Sequence, residues 1–175
     1  MKETAGGSVE ASSQPVPQHS RYAKIIHWGF ILVYAYGIVN QVDEVEELED
    51  FALLQEEMIF AVIFLLLLFA RFVYMHSTKP SVLPSDTPKR MLLLARTVHI
   101  GMYASLAMLA LSGVVIGGLF WSGVKGGASM EAVLLLHEIM FWASFNLIAL
   151  HIAGAIYHRY QGDGVWDAMV PVWKE

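Results

Sequence analysis

The sequence predicts an all-α protein, a bundle of four transmembrane helices. The chain has 175 residues, 56% of them hydrophobic and 15% charged, and its mean hydropathy is +0.51. A soluble domain of this size carries more charged residues on its surface. Four segments are long and apolar enough to cross a bilayer, at 22–42, 55–75, 91–121 and 133–157. They leave almost no sequence for a polar exterior, so buried helices of a soluble protein are not expected.

The first helix follows a polar segment, residues 1–20, which is rich in Ser, Gln and Gly. We expect this segment to be a disordered cytoplasmic leader. It does not resemble a cleaved signal peptide, because its apolar run starts late and lacks a small-residue cleavage site. The helical domain is predicted to cover residues 21–160, and residues 161–175 a cytoplasmic tail. Nothing in the chain indicates nucleic-acid binding.

Basic residues predict the orientation of the four helices. They lie before the first helix, around the loop between the second and third, and after the fourth: Lys2, Arg21, Lys24, Lys79, Lys89, Arg90, Arg96, Arg159 and Lys174. Only Lys125 falls on the opposite side. Because cytoplasmic loops carry the excess of Lys and Arg, both termini and the middle loop are expected in the cytoplasm of a bacterial inner membrane.

The third and fourth helices contain the most informative side chains. The third contains "SGVVIGG" (112–118), a small-residue face suited to close packing against a helix or a flat cofactor. The fourth contains His137 and His151, fourteen residues apart in an otherwise apolar segment. The two lie roughly 21 Å apart along the helix, and a difference of roughly 40° around the axis puts them on one face.

The helical rise also places two histidines at one depth. His27 lies about five residues inside the first helix, and His151 lies about six residues before the end of the fourth. Facing imidazoles below the surface of an apolar bundle suit a b-type haem, which takes axial nitrogens from histidine. Alternatively, each histidine only forms a hydrogen bond to a neighbouring helix. Zinc is a third reading, but no further ligand obviously shares this depth except His99. The chain contains no cysteine, which excludes thiolate ligands.

Three stretches together resemble the bacterial cytochrome b561 family: "KIIHWGF", "ARTVHIGMY" and "LLHEIMFWASFNLIALHIAGAIYHRY". The resemblance covers about residues 21–171. It implies a four-helix bundle with two b haems, which exchanges electrons between the quinone pool and a partner on one side of the membrane. His27 and His151 match the ligands of the cytoplasmic-side haem, and His137 matches one ligand of the outer haem.

The second helix departs from the family pattern. The family's second outer ligand is a histidine near the start of this helix, whereas this chain has no histidine between His27 and His76. Glu57 is nearest the expected position and Met58 is beside it. The outer haem is therefore lost, or held with a different ligand: Met58, Glu57 or a group from a partner chain. Met–His ligation would raise its potential, and Glu57 could instead pair with His137 or bind a different metal.

The segment "DEVEELEDFALLQEE" between the first two helices has eight carboxylates and no basic residue. It is either a solvated surface loop or an acidic face that attracts a cationic partner. Such a partner would be a basic periplasmic electron carrier or a larger oxidoreductase complex. An anionic substrate such as superoxide would be repelled.

Basic side chains cluster at the cytoplasmic depth of His27 and His151: Arg21, Lys24, Arg96, His99, His158 and Arg159. They would neutralise haem propionates, bind a quinone, or anchor the helix ends to anionic lipid. His99 is the best candidate for a quinone carbonyl, and Arg71, deep in the second helix, needs a partner such as a propionate.

Two functions from different classes follow. The first is a haem b cytochrome, acting alone or as the membrane anchor of a larger enzyme. The second is a non-redox membrane module whose histidines link helices or hold a divalent metal.

Overall fold

The structure, a computed structural model, describes residues 19–42, 44–78 and 87–173. It contains four long helices, α1 (Arg21–Val39), α2 (Phe51–Ser77), α3 (Lys89–Trp121) and α4 (Ala128–Gln161), and a short α5 (Val165–Met169). A 3-10 helix (Val45–Glu49) precedes α2. These ranges contain no strand, and the all-α fold class is confirmed. The predicted leader lies outside the described residues, apart from His19 and Ser20.

Local side chains fix where the helices begin and end. The Ser20 hydroxyl accepts a hydrogen bond from the Ala23 amide at 3.1 Å, and the Asp50 carboxylate accepts one from the Ala52 amide at 2.9 Å. Both are N-cap interactions, which satisfy amides that the first helical turn leaves unpaired. Gly162, with a φ of 62°, ends α4 in the left-handed conformation that glycine adopts without strain. Because Asp50 caps α2, this helix starts four residues before its predicted boundary and includes Glu56 and Glu57.

The outer surface of the bundle is apolar. All four long helices have the length and composition needed to cross a membrane. Large apolar side chains are exposed along them, among them Leu32, Leu66, Phe69, Leu93 and Trp142. An exposed apolar surface of this extent is stable in lipid and not in water. The predicted transmembrane bundle therefore has the surface that a bilayer requires.

Neighbouring helices in the sequence are neighbours in space. Helix α1 packs along α2, α2 along α3 and α3 along α4, whereas the backbones of α1 and α4 stay apart. The space between the first and last helices is a seam filled by side chains. At its middle, the Tyr34 hydroxyl donates a hydrogen bond to the Ser144 hydroxyl at 3.2 Å, because Ser144 donates its own proton to the Phe141 carbonyl at 2.8 Å.

Residues seven apart in each long helix lie at three depths of the bundle, which we call layers. A step of seven residues is two helical turns and returns to nearly the same face. The inner layer contains His27, Arg71, His99 and His151; the middle layer Tyr34, Phe64, Leu106 and Ser144; the outer layer Gln41, Glu57, Gly113 and His137. We call the two ends of the bundle the His27 end and the His137 end. Each layer takes one residue from each helix or its immediate C-terminal extension.

The middle layer lies in the main apolar core. Phe30, Phe64, Leu68, Leu106 and Ala110 form this core, and Tyr34, Tyr103 and Ile148 pack against it. The Phe30 and Phe64 ring centroids are 5.0 Å apart. A second cluster, near the His137 end, joins the 3-10 helix to α2, α3 and α4 through Leu48, Leu54, Ile116, Phe120 and Met130. The middle core therefore separates the inner and outer layers.

Helix α5 lies within the predicted tail and packs against the His27 end. The Lys24 ammonium donates a hydrogen bond to the Asp167 carbonyl at 2.7 Å, and the Trp28 indole donates one to the Met169 carbonyl at 3.2 Å. Ala168 between them is fully buried. The tail thus ties the last helix back to the start of the first.

We predict that Ala168→Asp releases α5 from α1, because a carboxylate at this fully buried position has no room and no partner. Proteolytic cleavage of the C-terminal segment should become several-fold faster, measured by mass spectrometry. Val172→Asp is the matched control, since Val172 is 52% exposed. Equal cleavage rates in the two variants would contradict the assigned packing.

Candidate functional site

The inner layer brings His27 and His151 together across the seam. Their ring centroids are 6.3 Å apart, and the ring planes form an angle of 73°. Two imidazoles on opposite sides of one metal ion, with metal–nitrogen bonds of about 2 Å, have centroids roughly 6 Å apart. The spacing therefore fits two axial ligands of a single iron. Both rings are partly buried within the apolar bundle.

Arg71 brings a positive charge into the same layer. Its guanidinium donates a hydrogen bond to His27 Nδ1 at 2.6 Å, and it lies 5.2 Å from the Phe30 ring centroid and 5.6 Å from that of Tyr103. Its Nε is buried and has no hydrogen-bond partner within the described ranges. No carboxylate side chain is bonded to it in that part of the chain. A buried cation without an acidic partner favours binding of an anionic group.

His99 adds a third imidazole. Its Nδ1 donates a hydrogen bond to the Ala95 carbonyl at 2.6 Å, and its ring centroid lies 4.9 Å from that of His151 at an angle of 82°. This spacing is shorter than the roughly 6 Å of two ligands on one metal ion. The site therefore places His99 against His151 as an edge-on neighbour. Arg96 is exposed on α3, and no described contact joins it to the imidazoles.

The other basic side chains at the His27 end have separate partners. His158 Nδ1 lies 2.6 Å from an Asp163 carboxylate oxygen, and the Arg159 guanidinium lies 5.0 Å from the Trp166 ring centroid. Burial and, to a smaller extent, the Lys24 ammonium lower the pKa of His19 just before α1. His19 is therefore neutral at neutral pH. His158 and Arg159 of the predicted basic cluster therefore each interact with a nearby residue of the C-terminal segment.

In the outer layer, a hydrogen bond to Ser112 on α3 fixes the tautomer of His137. The Ser112 hydroxyl donates to the Leu109 carbonyl at 2.9 Å and lies 2.9 Å from His137 Nδ1. Because the hydroxyl has only one proton, it accepts from His137, and we assign the ring proton to Nδ1 on this basis. Nε2 is then left with a lone pair.

His137 lies in the wall of a cavity of about 140 Å³ between all four helices. Aromatic and small residues form most of the wall, and Glu57, Gln41 and the Tyr34 hydroxyl are its other polar groups. The lining residues are Tyr34, Gly37, Ile38, Gln41, Glu57, Phe60, Ala61, Phe64, Leu109, Ala110, Gly113, His137 and Phe141. The cavity exists at Gly113 because this position carries no side chain: a Cβ there would lie 3.5 Å from His137 Cε1.

The two residues that replace the expected histidine on α2 point in different directions. Glu57 lines the cavity with His137. Met58 packs against α3, where a Cβ on Gly117 would come within 2.5 Å of Met58 Cγ, and it belongs to the apolar cluster near the His137 end. Of the two candidate ligands named from the sequence, only Glu57 shares a cavity with His137.

In the part of the chain that the structure describes, histidine and carboxylate side chains do not form a conventional metal centre. Within residues 19–42, 44–78 and 87–173, no group of three or more His, Asp or Glu side chains is arranged to hold a metal ion. The inner layer has two imidazoles at ligand spacing, and the outer cavity has one imidazole and one carboxylate. The two sites therefore differ in chemistry.

Sequence analysis identified the histidines and Arg71 but missed the side chains that position them. Ser112, Tyr34 and Ser144 are common residues whose roles depend on neighbours from other helices. The seven-residue repeat was the available signal: His137, Ser144 and His151 follow it on α4, as do His27 and Tyr34 on α1. A repeat of this kind predicts one face and leaves the facing helix undetermined.

Four apolar helices long enough to cross a bilayer define the class of the protein: a multi-pass membrane protein. Comparison with protein families then identifies it. Residues 18–172 match the family model of prokaryotic cytochrome b561, and the chain belongs to this family. It is thus a bacterial membrane cytochrome of an electron-transfer family that generally binds haem b. Neither a curated protein nor a solved structure matches the chain.

Proposed function

We propose that this protein holds one haem b between His27 and His151 and transfers electrons between the quinone pool and a partner redox protein. The observation that carries this proposal is the 6.3 Å separation of the two imidazole centroids across the seam. Family membership supports haem b as the cofactor. The haem would supply a one-electron carrier whose iron changes between the ferric and ferrous states.

The side chains of the inner layer fit such a group. His27 and His151 would provide the two axial nitrogens. Binding would release the Arg71 guanidinium from His27 Nδ1, so that the ring proton moves to Nδ1 and the Nε2 lone pair is available to iron. Arg71 would neutralise a haem propionate, since its guanidinium has no carboxylate partner in the described ranges. His99 would support the ring of His151 from the side.

The His137 end offers a surface for a cationic partner. Glu44, Glu46, Glu47, Glu49 and Asp50 are exposed around the 3-10 helix. Lys125 forms an ion pair with Glu49 at 3.0 Å and compensates one of these charges. A surface with this excess of negative charge accelerates encounter with a basic patch on a partner. We propose such a patch on a periplasmic electron carrier or on a subunit of a larger oxidoreductase complex.

The distribution of basic residues supports the orientation that this function needs. With both termini in the cytoplasm of a bacterial inner membrane, the His27 end faces the cytoplasm and the acidic surface faces the periplasm. The axial pair would then serve the cytoplasmic half of the membrane. His137 and Glu57 would lie in the periplasmic half.

We predict that His27→Ala and His151→Ala each abolish the same low-spin haem b spectrum, because each removes one of two axial ligands. His99→Ala is the matched control: it removes a neighbouring imidazole and should keep a low-spin spectrum. The measurement is the visible spectrum of the purified reduced and oxidised protein. Loss of the low-spin spectrum in His99→Ala, with its retention in His27→Ala, would assign the ligand to His99. A protein without haem would support the non-redox alternative.

We predict that Arg71→Met lowers the midpoint potential of the haem, because a nearby positive charge stabilises ferrous over ferric iron. The decrease should be on the order of 50 mV, from the electrostatic interaction of one partly buried charge. Arg71→Lys, which preserves the charge, should retain most of the original potential. Redox titration followed by visible absorption measures both variants. A potential that stays constant in Arg71→Met would place Arg71 away from the iron.

We predict that Glu44→Gln, Glu46→Gln and Glu47→Gln together slow electron exchange with a cationic carrier, because they remove long-range attraction at the His137 end. The decrease should be about tenfold or less at low salt and should vanish at high salt, where charges are screened. Stopped-flow absorption measures the rate. The corresponding Glu→Asp triple variant keeps the charge and is the control. Electron-exchange rates that are the same in all variants and at all salt concentrations would exclude docking at this surface.

A further inference from the structure

We propose that the outer cavity binds the ring of a hydroquinone in place of a second haem. This inference rests on the proposed function, which requires exchange with the quinone pool, and it names the site of that exchange. The cavity holds one imidazole with a free nitrogen and one carboxyl group, His137 and Glu57, in a wall of aromatic and small residues. Three properties of the cavity support this ligand: its volume, the hydrogen-bonding groups in its wall, and the glycine at position 113 on α3.

The size of the cavity fits one six-membered ring. Its volume is about 140 Å³, and an apolar protein cavity of about 150 Å³ is known to take up benzene. Tyr34, Phe60, Phe64 and Phe141 form aromatic walls, against which a planar ring packs by offset or edge contacts.

The polar groups of the cavity select a ring with hydroxyl groups. His137 Nε2 carries a lone pair, because Ser112 holds the ring proton on Nδ1. The Glu57 carboxyl group, which lines the same cavity, also accepts hydrogen bonds. Of the other polar groups, the Tyr34 hydroxyl is bonded to Ser144 and the exposed Gln41 amide both donates and accepts. The two acceptors, His137 Nε2 and Glu57, match a ligand with two donors. A hydroquinone has two hydroxyl donors on a ring of the right size.

The same two groups suit the oxidation of the bound ring. A hydroquinone that becomes a quinone releases two protons and two electrons. His137 Nε2 and the Glu57 carboxylate each accept one proton. The two electrons would pass one at a time to two ferric equivalents, which the haem b of the proposed function would supply as the oxidant. Glu57 lies within two helical turns of the start of α2, so its proton has a short path to the acidic surface.

Gly113 contributes no side chain to the cavity, whereas the corresponding positions of α3 in the other two layers carry larger residues. Gly113 occupies the α3 position that Leu106 fills in the middle layer and His99 fills in the inner layer. Met58, the other candidate haem ligand, is packed against Gly117. The outer layer therefore offers a ring-sized space and a single imidazole, which is one ligand fewer than the axial pair of the inner layer.

The test uses tetramethylhydroquinone, a ring without an isoprenoid tail, and its dimethyl ether, in which both hydroxyls are blocked. Binding to the full chain in lipid nanodiscs is measured by calorimetry without oxygen, with any haem reduced beforehand so that no electron transfer occurs. We expect the hydroquinone to bind with one site per chain and the ether to bind at least tenfold more weakly. Equal binding of both probes, or of neither, would overturn the proposal.

Two variants locate the site. Gly113→Leu should abolish binding because its side chain fills the cavity, whereas Gly118→Leu on the same helix should preserve it, since no atom lies within 4 Å of a Cβ there. Glu57→Gln changes no volume and should weaken binding on the order of tenfold, by loss of a hydrogen bond to a charged group. Helix content by circular dichroism identifies a misfolded variant, and Glu57→Gln then decides the result. Unchanged binding in Glu57→Gln would overturn the assignment of its carboxyl group.

Haem analysis separates this inference from the proposed function. Two haems per chain, with the second lost in His137→Ala, would show that the outer cavity holds haem and would overturn the hydroquinone site. Hydroquinone binding in a chain whose His27–His151 site binds no haem would support the cavity site and reject the proposed function. Binding of the probe does not depend on the inner site, so the two failures are distinguishable.

Discussion

The seam between α1 and α4 is the constraint on which the rest of the structure depends. These helices are the first and last of the bundle, and their backbones stay apart while α2 and α3 pack closely with their neighbours. In a membrane, space between helices is stable only when side chains, lipid or a ligand fill it. Among the described residues, the Tyr34–Ser144 hydrogen bond and the His27–His151 pair are two of the contacts that cross this space.

Because of the seven-residue repeat, the seam contains two sites at different depths, and an apolar core lies between them. Each repeat advances two turns and keeps the side chain on the same face, so antiparallel helices bring corresponding positions to one depth. His27 meets His151, and two turns further along, Tyr34 meets Ser144. Phe64 fills the same middle layer from α2. This layer separates an inner site of imidazoles from an outer cavity with His137.

The two sites differ because one position on each of α2 and α3 differs. In the inner layer α2 contributes the partly buried cation Arg71, and α3 contributes the imidazole of His99. In the outer layer α2 contributes the carboxyl group of Glu57, and α3 contributes Gly113, which has no side chain. A cation beside two imidazoles favours an anionic, iron-containing group. An acceptor pair beside a ring-sized space favours a neutral ligand with donors. The two layers therefore have the same arrangement of one residue from each helix, but their side chains differ in chemistry.

The sequence by itself determined the four transmembrane helices, the family resemblance, and the matched depth of His27 and His151, because apolar length and helical rise are local properties. It also identified the missing histidine on α2, since a residue count needs no coordinates. Only the tertiary structure decided that Glu57 lines the cavity while Met58 packs against α3. These residues are adjacent, so they differ by about 100° around the helix, and their surroundings depend on how α2 is rotated against its neighbours. The docking of α5 was likewise decided by tertiary contacts, because its anchors are backbone carbonyls that no side-chain pattern encodes.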